Sequence, residues 1–172
     1  MLRRVGLLRV LGLMALAAVL AGCGFHLRSQ LDFAFKTLAI TPEKNGIAVA
    51  LTRYLGSTVV PLTPAAGQAA PEAVLDIIEE KREKIVVGVN ASGQVREYEL
   101  RLRVNFRLRS SQGEELIPAS SIEQHRSISF NESAVLAKES EEALLYRDMQ
   151  TDVVQQLLRR LAAFKPAASA TP

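Results

Sequence analysis

Strict alternation of apolar and polar residues over residues 94–109 constrains the fold of this chain more than any other feature. The apolar series is Tyr98, Leu100, Leu102, Val104, Phe106 and Leu108. Successive side chains of a strand point to opposite faces of its sheet, so one face of this strand is buried and the other faces water. A strand of this kind is typical of an antiparallel sheet that carries a second layer on its apolar side.

Three further strands are predicted around this one. Residues 37–41 form a short strand, residues 73–89 a long strand with a wholly charged middle, and residues 121–130 another long strand. Turn residues at 90–93 and 111–113 join the three long strands as hairpins. The inner face of the 73–89 strand is expected to consist of Leu75, Ile77, Ile85, Val87 and Val89, and residues 58–62 are expected to form a brief extended piece.

Two amphipathic helices are predicted from apolar residues at three-and-four spacing. The first covers residues 43–55, with Pro42 in the first turn after a Thr41 cap. The second ends before Pro166 and begins at a Ser140 cap, with residues 134–138 as a short preceding turn. The expected fold class is therefore α+β, a two-layer sandwich of two helices on one face of a mostly antiparallel four-stranded sheet.

The N-terminus has the order of a secretory signal: basic residues, an apolar core and small residues. The small residues end in Cys23, which resembles the acylated cysteine of a bacterial lipobox, so residues 1–22 are expected to be removed. The alternative is an uncleaved membrane anchor, but Arg9 interrupts the apolar run and the remainder is short for a bilayer span. Gly24, and not aspartate, follows the cysteine, and the resemblance to sorted bacterial lipoproteins therefore implies the outer membrane.

The mature chain would be one domain, residues 23–165, with an N-terminal tether and a disordered tail at 166–172. The signal contains three of the 21 basic residues and none of the 18 acidic ones, so the mature net charge is 18 minus 18, or zero. This balance argues against nucleic acid as a partner. With Cys23 acylated, no thiol remains for a disulfide or a metal site.

No constellation typical of catalysis is visible in the sequence. The two histidines, His26 and His125, lie far apart, and no His/Cys spacing typical of a metal site is present. No phosphate-binding glycine loop and no Gly-x-Ser-x-Gly elbow occurs. We therefore expect neither an enzyme nor a metal site; a hydrolase, the remote alternative, would have to depend on His125.

A row of four arginines occupies the polar face of the 94–109 strand. Alternate residues of a strand lie about 7 Å apart, a spacing that suits several phosphates or carboxylates. The other interpretation is cross-strand pairing with Glu79, Glu83 and Glu123, which the neutral mature charge favours. These weaker candidates for anion binding are Arg101, Arg103, Arg107 and Arg109.

Three short motifs, in order, resemble the lipopolysaccharide-assembly lipoprotein family LptE, also called RlpB. They are the opening Cys23-Gly24-Phe25-His26-Leu27-Arg28, the hairpin Gly93-Gln94-Val95-Arg96-Glu97-Tyr98, and Leu136-Ala137-Lys138-Glu139 before the last helix. The resemblance spans nearly the whole mature chain. It implies the same two-layer fold and a function without catalysis.

The resemblance also implies partners and site residues. Members plug and help assemble the outer-membrane β-barrel LptD and bind lipopolysaccharide through basic residues at the hairpin tip and before the last helix. Lys138 matches the second position; the tip has Ala91 and Ser92, so Arg96 is the nearest substitute. The protein would lie at the periplasmic side of the outer membrane and in the barrel lumen, with N-acyl and S-diacylglycerol groups on Cys23 and no other cofactor. A stand-alone lipoprotein that binds lipids or polyanions is the alternative.

Overall fold

A single four-stranded sheet carries both helices on one of its faces. The computed structural model describes residues 32–68 and 70–165. In chain order the elements are β1 (Leu38–Thr41), α1 (Gly46–Leu55), a 3₁₀ turn (Gly56–Thr58), β2 (Ala73–Val89), β3 (Val95–Ser110), β4 (Glu115–Ser129), a 3₁₀ turn (Glu132–Ala134) and α2 (Val135–Ala163). The strand order is β1-β2-β3-β4, with β1 parallel to β2 and the other pairs antiparallel. The expected two-layer α+β sandwich is confirmed.

The apolar face of β3 forms the centre of the core. Leu100, Leu102, Val104, Phe106 and Leu108 are all fully buried, as the alternation predicts. Both helices cover this face, because each buries one apolar stripe and exposes its polar side. The stripe residues with no exposed surface are Ile47, Ala48 and Leu51 of α1 and Met149, Val153, Val154, Leu157 and Leu161 of α2.

A bulge in β2 corrects the predicted inner face of that strand. Ile77 pairs with Phe106 and Glu79 pairs with Asn105, so Ile78 has no partner on β3 and the alternation inverts after it. An inserted residue of this kind moves the side chains that follow it to the opposite face, up to the next irregularity of the strand. Ile85 consequently lies on the face away from the helices, while Val87 and Val89 are 51% and 59% exposed. The prediction that these three residues face the core is wrong.

Both helices begin elsewhere than predicted. The Asn45 side chain caps α1 by accepting a hydrogen bond from the Ile47 N–H at 2.7 Å, and Pro42 lies in a preceding turn after a cis peptide bond. The helix begins after Asn45 and not after Thr41, because the amide oxygen of Asn45 reaches the first free N–H groups. Helix α2 is continuous from Val135, and the Ser140 hydroxyl donates to the Leu136 carbonyl inside the helix.

Two strand boundaries also differ. Strand β4 begins at Glu115, before the predicted start at residue 121, because it pairs with β3 almost from the turn onward. The predicted extended piece at residues 58–62 is reduced to the 3₁₀ turn and one parallel bridge between Val59 and Leu38. The proposed signal (1–22), Cys23 and the tail (166–172) lie outside the described residues.

Candidate functional site

A cleft lies between the first turns of α2 and the ends of β2, β3 and β4 that adjoin the β2–β3 hairpin. We call it the lysine cleft, since two lysines from different elements line it. Its lining residues are Lys84 of β2, Tyr98 of β3, Ile128 and Ser129 of β4, Phe130, and Val135, Lys138, Glu139 and Glu142 of α2. Because α2 starts directly after β4 and a short turn, its first turns are held over the ends of the strands.

Lys138 is held in position at one side of the cleft. Its ammonium Nζ donates to the Ser129 hydroxyl at 2.8 Å and to Glu141 Oε2 at 2.9 Å. Its side chain is 21% exposed, which leaves the cation accessible. The pair with Glu141 is an i,i+3 pair on a helix surface and contributes little stability, on the order of a few tenths of a kcal/mol.

Lys84 enters the same cleft from β2. Its Nζ lies 2.6 Å from Glu142 Oε2 and 4.5 Å from the centre of the Tyr98 ring. An ammonium over an aromatic face is attracted by the negative face of the ring, so Tyr98 helps to hold Lys84 there. Each lysine of the cleft therefore has its own carboxylate, from two consecutive residues of α2.

The floor of the cleft is apolar. Tyr98 and Phe130 pack edge to face with their ring centres 5.3 Å apart, and the buried Ile128 also lines the cleft. Exposed aliphatic side chains continue at the margin: Val135 is 41% exposed and Leu136, its neighbour in α2, is 80% exposed. Cations beside an exposed apolar surface can hold a molecule that has both an anionic head and hydrocarbon chains.

Tyr146 anchors α2 to β2 close to this cleft. Its hydroxyl donates to the Glu83 carbonyl at 2.8 Å, and the Arg82 guanidinium lies 5.2 Å from its ring centre. Burial raises the pKa of this phenol, with a further contribution from the Glu142 carboxylate. The neutral hydroxyl therefore persists as a donor, and the start of α2 stays fixed over the strands.

Arg96 does not line the lysine cleft. It is exposed at the β2–β3 hairpin and lines a separate shallow pocket with Gln94, Val95 and residues 131–133. The two sites adjoin through the backbone, because the Phe130 N–H donates to the Arg96 carbonyl at 2.7 Å. At the tip, Asn90 accepts from Ser92 and Gln94 and orders the turn without adding a cation.

The four arginines of β3 lie on the face of the sheet opposite the helices, the outer face, and each has a carboxylate partner. Arg103 pairs with Glu123 across the strands, as the pairing interpretation expects. Arg101 pairs with Glu99, while Arg107 and Arg109 share Asp76 and not the expected Glu79 or Glu83. The balanced charges on this face do not favour a row of phosphate sites.

Asp76 is the most connected carboxylate of the outer face. It accepts from the Thr41 hydroxyl at 2.8 Å, from Arg107 Nε at 2.8 Å and from Arg109 Nε at 2.9 Å. These bonds link β1, β2 and β3. Burial alone would raise the pKa of Asp76, but the hydrogen bonds from Arg109, Arg107 and Thr41 outweigh it and lower the pKa below its ordinary value.

His125, the residue on which a hydrolase would depend, is exposed on the outer face and pairs in register with Arg101. Within residues 32–68 and 70–165, no three His, Cys, Asp or Glu side chains are grouped as a metal would require. None of the helices in the described part of the chain has the length and hydropathy needed to cross a membrane.

The sequence does not assign Lys84 or Tyr98 to the binding site. Lys84 lies in the charged middle of β2, and only the bulge at Ile78 turns it toward the helices. Tyr98 is predicted to point inward, but nothing in its pattern distinguishes a core position from the wall of a cleft.

Sequence comparisons identify relatives of this chain. The family described as "LptE: Lipopolysaccharide-assembly" matches residues 35–161. A protein of Pectobacterium atrosepticum named LPS-assembly lipoprotein LptE is 28% identical over 88% of this chain and 82% of its own length. One of the same name from Photorhabdus laumondii is 30% identical over 89% of this chain and 85% of its own.

Solved structures agree with this match. The solution structure of an uncharacterized lipoprotein B from Nitrosomonas europaea is 37% identical, with a TM-score of 0.67 over 82% of this chain and 92% of that one. The rare lipoprotein B of Shewanella oneidensis, 23% identical with a TM-score of 0.59 over 74% of this chain and 92% of that one, shares the fold. The family match covers most of the described residues, and the chain belongs to the LptE lipopolysaccharide-assembly lipoprotein family.

Proposed function

We propose that this protein is an outer-membrane lipoprotein subunit of the lipopolysaccharide assembly machinery. In this account it is anchored through acylated Cys23, plugs and helps assemble the β-barrel LptD, and binds lipopolysaccharide as it passes to the outer leaflet. Family membership and the names of the relatives support the assembly role. Two acyl groups or more on one cysteine would give stable anchoring, whereas one chain is marginal.

The lysine cleft is the observation that carries the binding part of this proposal. Lipid A combines phosphates with acyl chains, and the cleft combines the cation of Lys138 with the apolar surface of Tyr98, Phe130 and Val135. Charge-assisted hydrogen bonds to phosphate are among the stronger polar contacts that a protein makes. Arg96, exposed beside the cleft, is the second proposed contact and would meet more distant anionic groups of the glycolipid.

The outer face supports the plug part of the proposal. The lumen of an outer-membrane barrel is polar, so a protein enclosed there needs a hydrated surface without a large field of one sign. On this face acidic and basic side chains neutralise one another, as in the pairs Arg103–Glu123 and Arg107–Asp76. Such a surface can lie against polar, hydrated walls without presenting a large field of one sign.

Lys138→Glu tests the binding site. Reversing the charge removes a donor to phosphate and adds repulsion, so we expect the affinity for lipopolysaccharide to fall at least about tenfold, the scale of one charged hydrogen bond. The measurement is equilibrium binding of labelled lipopolysaccharide to the purified lipoprotein. Thermal unfolding should change little, because Lys138 makes only surface contacts.

Lys81→Glu is the matched control. Lys81 lies on the outer face, where it pairs with Glu83 at 2.8 Å, so its reversal changes the net charge equally but leaves the cleft intact. It should bind within about twofold of the wild type if general charge contributes little at physiological salt. Equal losses for both variants would show that lipopolysaccharide is attracted by net charge and not held at Lys138.

A further inference from the structure

We propose that Lys84 is the second phosphate-binding cation of the lysine cleft. In the free protein Glu142 forms an ion pair with Lys84 and thereby lowers the affinity of the cleft for phosphate. This inference rests on the proposed function, since it concerns the same glycolipid.

The position of Lys84 depends on the bulge in β2. Without the unpaired Ile78, the strict alternation from Ile77 would place Lys84 on the outer face. With it, Lys84 pairs in register with the buried Leu100 and points to the helix side of the sheet. The bulge thus places a cation from β2 in the cleft that contains Lys138.

Each lysine of the cleft has a carboxylate partner in the free protein, and Glu139 adds a further carboxylate to the lining. Lys138 contacts Glu141 at 2.9 Å and Lys84 contacts Glu142 at 2.6 Å, so each cation has one carboxylate. A phosphate monoester carries between one and two negative charges near neutral pH, which two lysines match better than one. An arriving phosphate would replace the carboxylates, and Glu141, at 49% side-chain exposure, can turn to water readily.

Lys84 is also held where its ammonium group can contact a phosphate. The Tyr98 ring, 4.5 Å from its Nζ, keeps the side chain from swinging into solvent when Glu142 moves away. The same ring packs on Phe130 and supplies the apolar floor against which acyl chains could lie. A preorganised cation loses less conformational entropy on binding than a free surface lysine does.

The two residues of this pair should have opposite effects on binding. Lys84→Gln removes a cation from the cleft and should weaken lipopolysaccharide binding about tenfold, the scale of one charged contact. Glu142→Gln releases Lys84 from its competitor and should strengthen binding by about threefold or more. If the ion pair only held α2 on β2, both substitutions would change lipopolysaccharide binding in the same direction.

The experiment measures equilibrium binding of labelled lipopolysaccharide, and of the same lipopolysaccharide after enzymatic removal of its lipid A phosphates, to the purified full-length lipoprotein. Lys81→Gln and Glu79→Gln are the matched controls, since both residues lie on the outer face of the same strand. We expect these controls to bind like the wild type. On the dephosphorylated lipid, the differences among Lys84→Gln, Glu142→Gln and wild type should disappear.

Three results would overturn the inference, and they are distinguishable. Wild-type binding by Lys84→Gln together with a loss in Lys138→Glu would remove Lys84 from the site and leave the proposed function standing. Weakened binding by Glu142→Gln would make the pair structural. Equal binding of native and dephosphorylated lipid by the wild type, or no binding at all, would overturn the proposed phosphate recognition itself and the role of Lys84 with it.

Discussion

Leu157→Ala is expected to lower the free energy of unfolding by about 3 to 5 kcal/mol, the range of fully buried leucines whose removal leaves a cavity. Leu157 has no exposed surface and lies in the stripe of α2 that meets the sheet. Domains of this size are stable by about 5 to 15 kcal/mol, so the loss is a large fraction of the total. Urea unfolding followed by circular dichroism measures it.

Leu144→Ala is the control on the same helix. Leu144 is 57% exposed, so the same chemical change should cost no more than about 0.5 kcal/mol. Similar losses for the two variants would contradict the orientation of α2 on the sheet. A large loss for Leu144→Ala alone would mean that the opposite face of the helix is the buried one.

Asp76→Asn is expected to lower the free energy of unfolding at pH 7 by about 2 kcal/mol, because hydrogen bonds to a charged group each contribute about 1.5 to 3 kcal/mol and this side chain is partly exposed. The substitution keeps the shape but removes the charge shared by Arg107 and Arg109. Glu123→Gln removes a carboxylate with one exposed partner, Arg103, and should cost less than about 1 kcal/mol.

The pH dependence of stability identifies Asp76 in a second way. Its pKa is lowered in the folded protein from the ordinary 3.8, so folding favours the charged form. The stabilisation is complete above the unfolded pKa and is lost as the pH falls below it. Between pH 6 and pH 3 the wild type should therefore lose more stability than Asp76→Asn does. Equal losses of stability between pH 6 and pH 3 in the two proteins would show that Asp76 does not contribute to the pH dependence.

The alternation on β3 is what made the architecture predictable. Six apolar residues in strict register define one buried face, and the two amphipathic helices supply apolar stripes that can cover it. The bulge at Ile78 was not predictable, because β2 alternates poorly in its charged middle and one extra residue leaves no local signal. The error at Ile85 follows from that single residue, whereas Val87 and Val89 lie at two further register irregularities beside the hairpin.

The candidate site is predictable only in part, and from a motif instead of from alternation. A short motif predicts Lys138 as a binding residue. Its position beside the ends of the long strands follows from the start of α2 at Val135. Its contacts with Ser129 and Glu141 depend on where α2 begins, which the sequence placed at Ser140. Lys84 could not be found, since its membership of the cleft requires the bulge, the helix start and the hairpin register together.

Gentle detergent extraction of the C-terminally tagged lipoprotein from the membranes of its own cells, followed by mass spectrometry of what co-purifies in stoichiometric amount, tests the barrel partnership. We expect one large β-barrel of the LptD type, tightly held, together with lipopolysaccharide. Recovery of the lipoprotein alone, under conditions that keep barrels intact, would contradict the plug and favour a stand-alone lipid or polyanion carrier.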